Sequence, residues 1–100
     1  MLIKELKKNT NVTIKVKLDK FLESGEIQKD DRKIKFEKWE ITDENEERIK
    51  CTFFDKENIT RLNDNIGKWV MLNKFWCSEY ESILSLSSAR YGYIKPLGGL

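Results

Sequence analysis

The amino-acid sequence predicts an all-β fold, a five-stranded Greek-key barrel with one short helix between strands 3 and 4. Residues 12–18 alternate strictly between apolar and polar side chains, and residues 48–54 do so up to Phe53, which is the period of a strand with one buried face. Ile59, Leu62 and Ile66 instead follow one another at intervals of three and four residues, the spacing of a helix. Strand patterns thus stand on both sides of a single helix pattern.

Length and composition limit the chain to one small domain. It has 100 residues, of which 39% are hydrophobic and 36% are charged, and its formal net charge is +2. We expect a single domain over residues 1–100, with a leading segment at 1–11, the barrel at 12–95 and a flexible C-terminal end at 96–100. No apolar run approaches the roughly 20 residues of a membrane span, and no signal-peptide pattern is present, so we expect a cytoplasmic protein without membrane contact.

The reactive side chains argue against catalysis and metal binding. The sequence contains no histidine, which is the commonest general base and the commonest metal ligand. Cys51 and Cys77 stand in strand-like apolar surroundings and form no CxxC pair, so we expect buried free thiols rather than a disulfide or a zinc site. The chain also lacks a nucleophile motif and a phosphate-cradling glycine loop. We therefore predict a binding protein that is not an enzyme and uses no cofactor.

The first half of the chain predicts two strands. Strand 1 covers residues 12–18, bends or bulges at 19–22, and enters a loop at 23–26 that residues 27–32 connect to strand 2 at 33–42. In strand 2, Ile34 and Phe36 share one parity while Trp39 and Ile41 share the other. Either a bulge lies near Glu37-Lys38 or one of these pairs faces outward. Trp39 is expected in the core, and Phe36 remains open between the core and a binding face.

The second half predicts the remaining elements. A polar turn at 43–47, in which Asn45 can take a left-handed conformation, leads into strand 3 at 48–54. Asp55 caps a helix at 56–64, Gly67 ends it, and strand 4 occupies 68–77. After a connection at 78–82, strand 5 covers 83–88 with Leu84 and Leu86 inward, and 91–95 extends it before Pro96. The leading segment forms a short turn that we expect to pack loosely and to cover Trp69 and Met71.

Exposed aromatic rings are the main functional signal. The outward face of strand 3 carries Lys50, Thr52 and Phe54, a combination suited to a phosphate backbone and a stacked base. Phe54 has a second interpretation, in which it turns inward to cover a barrel end. Phe75 and Trp76 are adjacent, so one ring must leave the core, and we predict that it is Trp76. Tyr80 lies in a connection between two glutamates and is expected to be exposed, either as a binding residue or as a solvated tyrosine.

Five strands with one helix between the third and fourth is the order of an OB-fold, a barrel that binds oligonucleotides. Residues 11–16 (Asn-Val-Thr-Ile-Lys-Val), 40–44, 48–54 and 67–72 closely resemble the simple single-stranded DNA-binding proteins of archaea and the OB domains of replication protein A. The resemblance covers about residues 7–94. It implies base stacking on Phe54, Trp76 and Tyr80, and places Ile27, with the neighbouring Gln28, near the bases.

Two features depart from that family. The turn at 43–47 is one residue longer than the family's turn and lacks its glycine. The acidic C-terminal tail by which many members recruit partners does not follow the barrel, so we expect either recruitment elsewhere or a binding core alone.

The predicted function is sequence-tolerant binding of single-stranded DNA, protecting it in replication, recombination or repair. Stacking ignores base identity because every base has a π-face. Further contacts are expected from Phe36, Lys38, Lys50, Thr52 and Lys74, although any single lysine can equally serve as a solvating group. The predicted partners are single-stranded DNA and replication or repair proteins, with the chain a monomer or part of a larger assembly. Two alternatives stay open: an RNA-binding OB module, and an OB domain that binds a protein partner.

Overall fold

Residues 1–97 are described by this computed structural model, and they form six strands, one α-helix and a short 3-10 turn. The 3-10 turn is Ile3–Glu5 and the helix α1 is Lys56–Asn63. The strands are β1 Thr10–Lys29, β2 Arg32–Thr42, β3 Arg48–Phe54, β4 Trp69–Tyr80, β5 Ile83–Ser87 and β6 Tyr93–Pro96. Within these residues no helix has the length and apolar character needed to cross a bilayer.

Five strands close into a ring. The order is β1-β2-β3-β5-β4, and β4 pairs back with β1, so the sheet has no free edge between these strands. The β3–β5 pair is parallel, while the other pairs of the ring are antiparallel. This closed ring, with α1 between β3 and β4, confirms the predicted all-β OB-fold. The sixth strand, β6, continues along the β5 side of β4, as the predicted extension of strand 5 implied. Of the C-terminal end predicted as flexible, Pro96 ends β6, and residues 98–100 lie outside the described residues.

One long strand, β1, reaches both neighbours because two bulges bend it. Residues 10–17 pair with β4 and residues 17–29 pair with β2, with extra residues at Asp19 and Leu22. The predicted loop at 23–26 and connection at 27–32 are therefore wrong. Ile27 and Gln28 lie in β1, opposite Ile34 and Lys33, and only residues 30–31 form the turn. The alternation was missing because this arm extends past the core, so neither face needs a regular apolar period.

The two parities of β2 correspond to its two faces. Its pairing with β3 runs without a shift from Phe36 to Thr42, so no bulge lies near Glu37-Lys38. Trp39 and Ile41 are buried, as expected for the core. Phe36 therefore lies on the opposite, outer face, directly across from Phe54.

Apolar side chains from all the elements fill the barrel. Phe53 and Phe75 are fully buried and meet edge to face at 5.7 Å between ring centroids. Leu62 places the apolar side of α1 against this core. Cys51 and Cys77 are buried free thiols, and burial raises the pKa of each; the carboxylate of Glu79 adds to the rise at Cys77.

The leading segment packs tightly, contrary to expectation, because a buried carboxylate holds it. Ile3 and Leu6 join the core, and the Ile3 N–H donates to Asp43 Oδ2 at 2.7 Å. Asp43 Oδ1 accepts from the N–H groups of Asn45 and Glu47 at 2.9 and 3.0 Å. This network organises the glycine-free turn at 43–47, in which Glu46 rather than Asn45 takes the positive φ, 63°. Trp69 is 37% exposed, so the expectation that this segment covers it is wrong.

Asp43 makes the stability depend on pH. Burial by itself raises the pKa of this carboxyl group, but the backbone N–H donors outweigh burial and leave the pKa below its usual value. A depressed folded-state pKa contributes stability above the unfolded-state pKa of about 3.9, and that contribution is lost as the pH falls through the folded-state pKa.

We predict that Asp43→Asn lowers the free energy of unfolding by about 1–3 kcal/mol at pH 7, because an amide cannot accept all three N–H bonds. The difference from wild type narrows as the pH falls below the ordinary carboxyl pKa and through the lower folded-state pKa of Asp43, because the carboxylate is then protonated. Urea unfolding at pH 7 and at a pH below the folded-state pKa of Asp43 measures this difference. Glu44→Gln, at an exposed position of the same turn, is the matched control and leaves the stability unchanged. An equal deficit for Asp43→Asn at both pH values would contradict this account.

Candidate nucleic-acid interface

The outer faces of β3, β5 and β4 form one continuous surface. Thr52 pairs with Ser87, which pairs with Trp76, so these three side chains form one row across the strands. Phe54 lies two residues beyond Thr52 on β3, and Tyr80 lies four residues beyond Trp76 on β4. Since side chains of equal parity share a face, the row and its continuations point to the same side of the barrel. The structure thus brings Phe54, Trp76 and Tyr80 onto one outer face.

The three rings differ in exposure. Tyr80 is 78% exposed and Trp76 is 36% exposed, whereas Phe54 is half-buried. Phe75 is fully buried, so the predicted orientation of the Phe75-Trp76 pair is correct. Phe54 does not turn into the core; that position belongs to Phe53. The role of these rings in binding stays a prediction.

A bulge in β4 turns Trp76 outward. Val70 and Leu72 point inward, and after one extra residue Phe75 and Cys77 do so. The extra residue lies at Asn73-Lys74, where Lys74 takes a positive φ of 57°. Without it, the alternation started at Val70 would bring Trp76 into the core. Lys74, predicted as a phosphate contact, is exposed at this bulge. Its positive φ also forms the bulge that turns Trp76 outward.

Two buried side chains fix the backbone of Phe54 where β3 ends. The Phe54 N–H donates to Ser88 Oγ at 2.8 Å, and Asn58 Nδ2 donates to the Phe54 carbonyl at 3.2 Å. Asn58 also donates to the Gly92 carbonyl at 2.9 Å and accepts from the Ile94 N–H at 3.1 Å. A Cβ on Gly92 would lie 2.5 Å from the Ser88 carbonyl oxygen, so only glycine permits this approach. The network joins α1 and β6 to the end of β3.

A second phenylalanine extends the Phe54 surface. The ring centroids of Phe36 and Phe54 are 6.2 Å apart, and the Lys38 Nζ lies 5.8 Å from the Phe36 centroid. The Phe36 ring lies over Gly25 of β1, where an added Cβ would come within 2.7 Å of Phe36 Cζ. The Phe36 ring therefore occupies the space that a side chain at position 25 would fill. Of the two locations left open for Phe36, the structure shows the outer face and not the core.

The hairpin residues fall on opposite faces. Ile27 shares the outer face with Phe36 and is 44% exposed, two residues further out than Gly25. Gln28 has the other parity, and its Nε2 donates to the Asp30 carbonyl at 3.2 Å. The structure therefore places Ile27 with the aromatic surface and Gln28 away from it.

The predicted lysines differ in their neighbours. Lys38 forms an ion pair with Glu23 at 3.2 Å, and Lys50 lies opposite Glu40 in the β2–β3 pair. Glu40 is itself bonded to Arg48 at 3.3 Å. Such exposed pairs contribute little to stability, and they leave this face with mixed charge.

Comparison with solved structures agrees with the fold. The OB domain of Ta0387 from Thermoplasma acidophilum matches with a TM-score of 0.75 and 17% identity, over 100% of this chain and 88% of that one. A replication protein A heterotrimer bound to single-stranded DNA matches with a TM-score of 0.68 and 14% identity. That match covers 99% of this chain and 25% of the matched replication protein A chain, so this chain spans about a quarter of the length of that protein chain. No protein-family model and no curated protein matches the sequence. At these identities the likeness shows the OB-fold alone.

Sequence reasoning missed Asn58 and Ser88. Asn58 is a buried polar residue four positions before Leu62, on the side of α1 that faces the barrel. That placement was the available signal, since a buried amide needs partners. The sequence gives no comparable signal for Ser88, because a serine after a strand is common in exposed turns.

We predict that Ser88→Ala weakens binding of a short oligo-dT about threefold, because the unpaired Phe54 N–H lets the end of β3 shift. It also lowers the free energy of unfolding by about 1–3 kcal/mol. In a Phe54→Ala background the same substitution has no further effect on affinity, which separates positioning of the ring from general stability. Ser82→Ala, in the exposed β4–β5 turn, is the control. An equal loss of affinity in both backgrounds would show that Ser88 does not act through Phe54.

Proposed function

We propose that this protein binds single-stranded DNA without sequence preference, stacking bases on Phe54, Trp76 and Tyr80. The observation that carries the proposal is that rings far apart in the chain share one outer face of the ring of strands. A folded protein gains little from keeping a tryptophan and a tyrosine exposed on a sheet face, whereas a nucleic-acid base gains a stacking partner from each. Phe36 and Ile27 extend the same apolar surface toward the hairpin.

The spacing of the rings suits an extended strand. Phe54 and Trp76 are two strands and two residues apart, which corresponds to about 12 Å between their Cα atoms on a flat sheet. Trp76 and Tyr80 are four residues apart on one strand, or about 13 Å. A single strand can thus cross β3 and β5 and then follow β4, meeting each ring in turn.

Stacking supplies the larger share of the binding energy. Each base on an exposed ring contributes about 1–3 kcal/mol, so three rings account for much of a micromolar affinity of about 8 kcal/mol. Within residues 1–97, Lys50 and Lys74 are exposed and form no ion pair, so both are free to contact phosphate, whereas Lys38 pairs with Glu23. Each phosphate contact lowers the logarithm of the affinity by about 0.7 per decade of salt. Thr52, in the row between Lys38 and Ser87, can donate a hydrogen bond to the same backbone.

The proposed role is the protection of exposed single strands in replication, recombination or repair, as an archaeal-type relative of replication protein A OB domains. Support comes from two sources. The replication protein A heterotrimer that shares this fold was solved bound to single-stranded DNA. The sequence blocks at residues 11–16, 40–44, 48–54 and 67–72 also resemble that family. On this proposal the chain is a non-catalytic binding module acting within the cell, alone or in an assembly with replication or repair proteins.

We predict that Trp76→Ala weakens binding of a short oligo-dT at least tenfold, about 1.4 kcal/mol, with the melting temperature nearly unchanged. Fluorescence anisotropy of a labelled oligonucleotide measures the affinity, and circular dichroism measures the melting temperature.

Trp69→Ala is the matched control, since Trp69 lies on the same strand and is 37% exposed. It leaves the affinity for the short oligonucleotide within twofold of wild type. Equal losses for the two variants would contradict the assignment of the binding face. Competition with oligo-U distinguishes the substrate, because tighter binding of oligo-U than of oligo-dT would identify an RNA-binding module instead.

A further inference from the structure

A second basic and aromatic surface covers the outer side of β1, β4 and β6. Its rows follow from the strand pairing: Lys15 pairs with Met71, which pairs with Lys95, and Lys17 pairs with Trp69. Tyr93 pairs with Asn73 in the next row. We call this the β1–β4–β6 surface, formed by Lys15, Lys17, Trp69, Met71, Tyr93 and Lys95.

The β1–β4–β6 surface is accessible. Trp69 is 37% exposed and Tyr93 is 42% exposed, and Lys17 and Lys95 are exposed beside them. The Lys15 Nζ lies 5.4 Å from the centroid of the Trp69 ring, so the ammonium group is held over the indole rather than extended into solvent.

The charge of this surface is of one sign. The outward positions of the paired segments hold lysine, aromatic rings, Met71, Asn73 and Thr13. The next outward carboxylate on β1, Asp19, lies 3.9 Å from the Arg48 guanidinium and accepts from Thr42 Oγ1 at 3.2 Å. The Phe54–Trp76–Tyr80 face differs, because its cations are opposed by Glu23 and Glu40. The β1–β4–β6 surface therefore offers the more uniform complement to a polyanion.

We propose that the β1–β4–β6 surface binds a second segment of a long single strand of nucleic acid, which passes Tyr80 and Trp76 and then continues along β4 to Trp69 instead of crossing to Phe54. This inference rests on the proposed function. The outward-facing side chains of β4 form one continuous line along the strand. In order they are Tyr80, Trp76, Asn73, Met71 and Trp69. Trp76 and Trp69 are about 20 Å apart along the strand, which adds several nucleotides to the footprint.

The chemistry divides between phosphate and base. Lys15 and Lys95 flank Met71 across two strand spacings, or about 10 Å, and can hold phosphates on either side of an apolar strip. Met71 and Tyr93 offer surfaces on which a base can lie. Because Lys15 covers the Trp69 ring, its ammonium group is positioned for a phosphate passing over the indole.

The test compares two oligo-dT lengths near the ends of the range for one OB domain, about 4 and about 16 nucleotides. The variant is Lys15→Gln with Lys95→Gln. Its control, Lys4→Gln with Lys56→Gln, removes equal charge from exposed positions on the 3-10 turn and on α1. Limiting protein ensures that one molecule binds each strand, and circular dichroism confirms that each variant is folded.

The expected result is a loss of at least tenfold in affinity for the long oligonucleotide, with affinity for the short one within twofold of wild type. The salt slope for the long oligonucleotide falls by about 1.4, since each lost phosphate contact removes about 0.7. The control variant changes neither quantity beyond twofold. Trp69→Ala weakens binding of the long oligonucleotide only.

Other outcomes overturn the inference in distinguishable ways. If wild-type protein binds the short oligonucleotide but the Lys15/Lys95 variant matches its control on the long one, the second segment is wrong and the proposed function stands. If wild-type protein binds neither length, the proposed function fails and this inference fails with it. Binding of poly-glutamate that requires Lys15 and Lys95, without any effect on the long oligonucleotide, would assign the surface to an acidic protein segment instead.

Discussion

Register within the ring of strands is the constraint on which the rest of this structure depends. Side chains alternate between the two faces of a strand, so one extra residue exchanges everything that follows between core and solvent. In β4 that residue lies at Asn73-Lys74, and Trp76 faces outward because of it. In β1 the extra residues Asp19 and Leu22 let one strand pair with both β4 and β2, which closes the ring. The outer aromatic face is a consequence of where these bulges fall.

The end of β3 poses the opposite problem, because a strand that stops leaves its last backbone groups without partners. Ser88 and Asn58 supply those partners from the side chains of two other segments. These bonds hold the Phe54 backbone at the boundary between sheet and helix. The chain changes direction at the next residue, Asp55, which has a φ of 83°. A similar solution appears at the end of β2, where the Asp43 carboxylate satisfies N–H groups of the turn and of the leading segment. Buried polar side chains thus complete the barrel where the ladders end.

The sequence was informative wherever one face of a strand meets the core. The regular alternation at residues 12–18 and 48–54 located strands 1 and 3, and the adjacency of Phe75 and Trp76 required one exposed ring. The outer part of β1, residues 23–29, was predicted as a loop and a connection, because it extends beyond the core and has no apolar period. The loose leading segment was a further error, since the bond between Ile3 and Asp43 spans forty positions and leaves no local pattern. The parity of β2 became clear only when its pairing with β3 was known. Residues that act by packing on one face were predictable, whereas a long-range polar partner such as Ser88 was not.

The three tryptophans offer the most direct measurement of the central claim, that the Phe54–Trp76–Tyr80 face is where a short single strand lies. Trp39 is buried with its Nε1 donating to Glu37 Oε1 at 3.1 Å, Trp69 lies on the β1–β4–β6 surface, and Trp76 lies on the aromatic face. Each indole N–H gives its own signal in a proton–nitrogen NMR spectrum. Titration with a short oligo-dT is expected to shift the Trp76 indole signal strongly while the Trp39 and Trp69 signals stay in place. A titration in which the oligonucleotide binds and the Trp76 signal does not move would contradict the account.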